Sequence, residues 1–383
     1  MSSSSSLSQI PRSYATASAG MHPTHTLPLK LQAIADAGFK YTEIAFPDLE
    51  ALASFTFNGE YKQLDEKGEG DVSKLVDTAI EVNKICGSLG LKVLSVMPFP
   101  QFEGYTDPRK KENSLNRAWT MFKVLHGLGC DMLQVGSTND PSTSGDYDVI
   151  VEGLRELADE AAKQNPPIKI AYEMWAWGVH ANSWEHTWDI CKRVDRSNFG
   201  LCLDTFQISA IYYASKLSNN LSTPYPLPPL PAPSLADSLT SLADTLKPHI
   251  DKIFYLQISD AAFPPASSAF SMPPSTGMHE LNAVERAAKE KDVHVLYAWS
   301  DSWRPLPFHK QVRPDAEGIR EGILPVLDIC RAVLRTGWRG PWSYEVFYAD
   351  SQSKEDPDIP RRWTEDAMKA HELILEALQN EGF

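Results

Sequence analysis

Four oxygen-bearing side chains stand at the ends of short, largely apolar runs. They are Glu173 in Ile170-Ala171-Tyr172-Glu173, Asp204 in Leu201-Cys202-Leu203-Asp204, Gln257 in Phe254-Tyr255-Leu256-Gln257 and Glu345 in Trp342-Ser343-Tyr344-Glu345. An ionised carboxylate among apolar neighbours is costly unless it is paired or binds a metal. If the four runs converge, three carboxylates at close range repel one another, and a divalent cation relieves that repulsion. Oxygen-only ligands suit Mg²⁺ or Mn²⁺ better than zinc, with Co²⁺ also admitted. Taken singly, each residue also reads as a strand-end polar group facing solvent.

The chain must supply elements that bring these runs together. Short β-rich runs alternate with helical patterns eight times. Strands are expected over 14–20, 41–46, 92–98, 132–136, 168–174, 199–204, 252–259 and 342–347. Helices are expected over 29–37, 72–88, 113–128, 149–163, 183–194, 235–246, 318–335 and 362–378. Apolar strands alternating with helices specify a parallel sheet covered by helices, and eight such units give a (β/α)8 TIM barrel. Its strand ends open on one mouth, where active sites form. A doubly wound open sheet is the alternative, but no Gly-x-Gly-x-x-Gly follows the first strand.

Residues 13–383 are expected to form one catalytic domain, with 1–12 a disordered tail. Two segments break the rhythm. Residues 218–234 hold six prolines and read as an irregular loop. Residues 261–314 form a long insertion after strand seven, a candidate lid over the active-site face.

Composition narrows the function. The 383 residues carry 36 Lys and Arg against 50 Asp and Glu, a formal charge of −14. That balance opposes nonspecific nucleic-acid binding. No apolar run reaches the roughly 18–20 residues of a transmembrane helix. The five cysteines form no Cys-x-x-Cys pair, so buried free thiols in a reducing compartment are expected. The N-terminal serine run lacks the features of a secretory signal. A cytoplasmic enzyme acting on a small molecule is the resulting expectation, with homo-oligomerisation left open.

The arrangement of Glu173, Asp204, Gln257 and Glu345 resembles the xylose-isomerase-like barrel superfamily. Within it, the chain is similar to the fungal 3-dehydroshikimate dehydratases of quinate catabolism. The most specific stretches are Asn198-Phe199-Gly200-Leu201-Cys202-Leu203-Asp204-Thr205-Phe206 and Phe254-Tyr255-Leu256-Gln257. The resemblance implies a divalent-metal-dependent lyase that converts 3-dehydroshikimate to protocatechuate and water through an enediolate. It makes Glu173, Asp204, Gln257 and Glu345 the metal ligands. It also gives Glu43 of strand two a substrate-orienting role, beside the plainer reading of a partly exposed strand carboxylate. The chain departs from the relatives where they carry arginines: it has His180, Ile211 and Asp301 there, and only Arg304 survives. These losses keep open an isomerase or epimerase of a sugar or ketosugar, or an eliminase of a neutral polyol, on the same site. An inert barrel lacks a reason for the four ligand-type residues. A multi-zinc nuclease is opposed by the charge and by Gln257.

The general base is sought among Glu173, Glu345 and His180. Trp177, Gln207, Asp260 and Arg304 are candidate substrate contacts, the first three each with a packing or capping alternative. Glu173→Gln is expected to weaken metal binding greatly and to leave the fold intact. Metal titration alongside circular dichroism checks this, and retained metal with full activity would sink the ligand assignment.

Overall fold

The computed structural model describes residues 7–217, 233–264 and 283–383, with Lys216 described by its backbone alone. Eight parallel strands close a barrel. They are β1 (Arg12–Ala15), β2 (Tyr41–Ala45), β3 (Lys92–Phe99), β4 (Met132–Gly136), β5 (Lys169–Glu173), β6 (Phe199–Asp204), β7 (Ile253–Ile258) and β8 (Trp342–Tyr344). Each pairs with its neighbour in sequence, and β8 pairs with both β7 and β1. The expected (β/α)8 barrel is the architecture found.

The helices cover the barrel for a visible reason. In Val72–Ser88, Leu75, Ala79, Val82 and Cys86 recur at three- and four-residue steps, and all four are buried. Asp107, Asp146 and Ser183 accept backbone N–H groups at the starts of three helices, satisfying donors that the helix itself leaves open.

Inside the barrel the two-residue period of the strands sorts side chains into layers. Leu94, Met132, Ala171, Cys202 and Tyr255 form an apolar plug. Two residues further along β5, β6 and β7 stand Glu173, Asp204 and Gln257. The period that buries the plug therefore places the polar side chains in the layer nearer the strands' C-terminal ends. Glu345 follows just beyond β8, where its N–H donates to the Ile258 carbonyl at 3.2 Å.

Several expectations are corrected. β1 starts and stops earlier, because Thr16–Ser18 turns into a 3-10 helix. Residues 7–12 are not a tail: Leu7 and Ile10 are buried, and the Pro11 carbonyl accepts the Trp342 N–H at 2.9 Å. The helix expected from residue 318 starts at Val326, after Pro325 at its N-cap. The run 342–347 splits, since Phe347–Tyr348 leaves the barrel and pairs antiparallel with Trp303–Arg304. The helices Phe46–Thr56 and Thr205–Tyr213 begin directly at strand ends and were not anticipated. All but the last two residues of the expected proline loop at 218–234 lie outside the described residues. All five cysteines are free and buried. Among the described residues no helix is long and apolar enough to cross a membrane.

The described part of the insertion after β7 is packed into the body of the protein. It holds the helices Ala283–Lys291, Val295–Ser302 and His309–Val312. Trp299 is fully buried. Its indole N–H donates to the Ala262 carbonyl at 2.9 Å, and its ring meets Phe206 edge-on at 5.1 Å. Trp299→Ala should therefore lower the unfolding free energy by about 3–5 kcal/mol. Urea denaturation measures this, and a loss below about 1 kcal/mol would show that the insertion is not part of the core.

Candidate active site and metal centre

Glu173, Asp204 and Glu345 each present a carboxylate oxygen, and these atoms lie within 4.8 Å of one another. All three residues are buried. Glu173 is held by two neighbours. The Gln134 amide N–H donates to its Oε2, and Trp175 Nε1 donates to the same oxygen at 2.8 Å. The other oxygen, Oε1, is buried and has no partner. Trp175 reaches Glu173 because Gly136 ends β4: a Cβ there would stand 2.1 Å from Trp175 Cζ2. Asp204 caps the helix Thr205–Tyr213, with Oδ1 accepting the Gln207 N–H at 2.9 Å.

Arg304 joins the other two carboxylates. It arrives on the short strand Trp303–Arg304 of the insertion. Its Nη2 donates to Asp204 Oδ2 at 2.7 Å, and its Nη1 lies 2.9 Å from Glu345 Oε2. Ser259 and Ser300 hydroxyls take the remaining donors at 2.8–3.1 Å, and the guanidinium lies over Phe206 and Phe347. Three carboxylates against one guanidinium leave a formal deficit of two positive charges. Burial pushes the Glu173 carboxyl well up from its ordinary value, and the charges of Glu345 and Asp204 add to the rise. Burial also raises Glu345, against the opposing pull of Arg304. An unpartnered carboxylate oxygen, three close oxygens and a missing charge of +2 fit a divalent cation on hard oxygen ligands.

Glu173 and Glu345 of the cluster line a cavity of about 870 Å³. Gln134, Trp175, Trp177, Gln207, Tyr297, Arg304 and Phe347 contribute to its wall. Trp175 and Trp177 lie 5.4 Å apart at a shallow tilt, and Tyr297 meets Trp177 edge-on. These faces suit a flat ring. A mainly apolar pocket with a few convergent polar groups at the C-terminal face of a barrel is where substrates bind.

A family model described as a xylose isomerase-like TIM barrel matches residues 31–372. The chain belongs to the xylose isomerase-like TIM barrel family. A protein of Neurospora crassa named 3-dehydroshikimate dehydratase is 30% identical over 340 residues, covering 88% of this chain and 85% of its own length. One of Pseudomonas putida with the same name is 26% identical over 322 residues, covering 84% of this chain and 36% of itself. Among solved structures, a xylose isomerase-like TIM barrel/4-hydroxyphenylpyruvate dioxygenase fusion protein superposes with a TM-score of 0.63 at 25% identity, over 97% of this chain and 44% of that one. A D-psicose 3-epimerase of Clostridium cellulolyticum H10 gives 0.54 at 14% identity, over 96% and 99%, which speaks for the fold alone.

Within this family barrel the sequence-derived residues fall into three groups. Glu173, Asp204 and Glu345 come together as expected, and Trp177, Gln207 and Arg304 line the same cavity. Gln257 stands opposite Asp204 in the β6–β7 register. Its amide, however, donates to Glu43 at 3.2–3.3 Å, and its Oε1 accepts from Cys202 Sγ at 3.4 Å. It would have to leave the thiol to join the carboxylates. Glu43 is fully buried between Ser95 and Gln257 and is not in the cavity wall, so neither a partly exposed carboxylate nor a substrate contact describes it. Burial raises its pKa.

His180 and Asp260 lie outside the cavity wall. The His180 ring bonds the Thr143 carbonyl at 3.0 Å. Asp260 caps the returning chain by accepting the Ala261 and Leu324 N–H groups at 2.7 and 2.8 Å. Sequence reasoning missed Gln134, whose lone amide within the apolar run Met132–Gly136 was the available signal. It also missed Ser259, Ser300 and Tyr297, which carry no such mark.

The raised carboxyl groups set a pH dependence. A carboxyl whose folded pKa exceeds its unfolded value of about 4.3 stabilises the fold at lower pH, and that stability is lost as pH rises through the folded pKa. A divalent ion held there would offset the loss. The gap in Tm between Mn²⁺-loaded and EDTA-treated protein should therefore widen from pH 5 to pH 8, and should shrink in Glu173→Gln. Thermal melts at each pH read this, and a constant gap would contradict the charge assignment.

Proposed function

We propose that the chain is a divalent-metal-dependent lyase that dehydrates 3-dehydroshikimate to protocatechuate. The carboxylate trio with its deficit of two charges carries this reading. It lies in a chain that aligns along most of its length with a relative bearing that activity in its name. Glu173, Asp204 and Glu345 would hold the ion. A Mg²⁺, Mn²⁺ or Co²⁺ ion bound there supplies a Lewis acid that polarises a carbonyl and acidifies the adjacent C–H.

The chain's own groups do the rest. Arg304 fixes Asp204 and Glu345, and Gln134 and Trp175 fix Glu173, so the three carboxylates are set before substrate arrives. Trp175 and Trp177 offer aromatic surface to one side of the ring. The C–H proton would pass to Glu173 or Glu345, the two carboxylates of the cluster that line the cavity. The ring hydroxyl departs with a proton as water, and aromatisation makes the step irreversible. His180 takes no part, since its ring is bonded to a backbone carbonyl away from the cavity. The epimerase alternative rests on the shared fold and on His180, Ile211 and Asp301 standing where the relatives carry arginines.

Addition of 3-dehydroshikimate with Mg²⁺, Mn²⁺ or Co²⁺ should generate the protocatechuate absorbance band, and EDTA should abolish it. Glu173→Gln should reduce the rate by more than about 100-fold, since even residues behind a metal ligand cost 10–100-fold. No product from protein shown to hold the ion would overturn the reading.

A further inference from the structure

The cavity wall has no lysine or arginine to spare among the described residues. Among the described residues its cationic side chains are His22, His25, Lys30 and Arg304. Lys30 is bound to Asp48 at 2.8 Å, and both residues lie in the wall. Arg304 spends its donors on Asp204, Glu345, Ser259 and Ser300. His25 is bonded to the Asp356 carbonyl at 2.9 Å, and His22 to the Thr24 hydroxyl at 2.8 Å. Every Arg and Lys of the chain falls within the described residues, Lys216 by its backbone alone. With a divalent ion in place, three carboxylates and one guanidinium sum to zero. A substrate carboxylate would add a negative charge with no partner.

Neutral groups are, by contrast, waiting. Trp177 Nε1 is a buried donor without a partner, and Gln134 Oε1 is a buried acceptor without one. Both residues line the cavity. Buried polar atoms are rarely left unpaired, and here a ligand can supply the missing bonds. We infer that the site recognises a cyclic hydroxy-ketone through neutral hydrogen bonds, with Trp177 donating to a substrate oxygen and Gln134 accepting a ring hydroxyl, and that it does not read the charge of the substrate's carboxylate.

This inference rests on the dehydratase reading, and one comparison separates the two. The Mn²⁺-loaded protein is assayed with 3-dehydroshikimate and with its methyl ester. The expected result is kcat/KM values within about tenfold of each other, because no ion pair is lost. A guanidinium fork would instead make the ester worse by about 100-fold or more, and that outcome overturns the inference while leaving the dehydratase reading intact. Failure to turn over the acid overturns the dehydratase reading and the inference with it. In Trp177→Phe, kcat/KM should fall about tenfold for both compounds, chiefly through KM, with Mn²⁺ affinity unchanged. Unchanged KM values in that variant would overturn the assignment of the indole N–H.

Discussion

Mutual repulsion among Glu173, Asp204 and Glu345 is the constraint around which the upper half of the barrel is arranged. Three buried carboxylates within 4.8 Å of one another cannot all be charged without compensation. Arg304 supplies one positive charge, and the position of the insertion after β7 follows from that need. Its ribbon with Phe347–Tyr348 sets the guanidinium between Asp204 and Glu345. The third carboxylate has no cation of its own. Glu173 is held instead by the neutral donors Gln134 and Trp175, which fix one oxygen and leave the other free.

Below the cluster the barrel separates polar from apolar interior. Glu43, Ser95 and Gln257 form a fully buried hydrogen-bonded set, and the plug of Leu94, Met132, Ala171, Cys202 and Tyr255 closes the interior beneath. A buried polar set of this kind is costly unless its bonds are made. It gives the Gln257 amide a defined orientation, donor toward Glu43. The strand-seven residue is therefore controlled from strand two, across the barrel.

The barrel was legible because its signal is periodic. Eight apolar runs alternating with helical patterns need no tertiary information, and β4, β6 and the helices Val72–Ser88 and Leu235–Leu246 begin and end where the pattern says. The three carboxylates were legible for the same reason, as acids closing apolar strands. What escaped depends on contacts between distant segments. Arg304 was read as a fork for substrate, and nothing local shows that its fork closes on Asp204, a hundred residues away. Glu43 lies within β2 and Asp260 just past β7, and both read as acids on barrel strands like the cluster residues. Only the packing shows that one is sealed inside and that the other caps a returning loop. Pro325 was visible but was overridden by a helical pattern that seemed to run through it.

The closure of β8 on β1 has a consequence for synthesis. Trp342 pairs with Arg12, and Glu345 lies just past that strand. A nascent chain thus has to be extended through Glu345 before the third carboxylate exists, and the guanidinium delivered by residue 304 precedes it only shortly. Until then Glu173 and Asp204 stand in an unclosed barrel without their full set of partners. A cation held by all three carboxylates would therefore be acquired late in the life of the polypeptide, in contrast to small zinc modules whose ion organises the chain from the start.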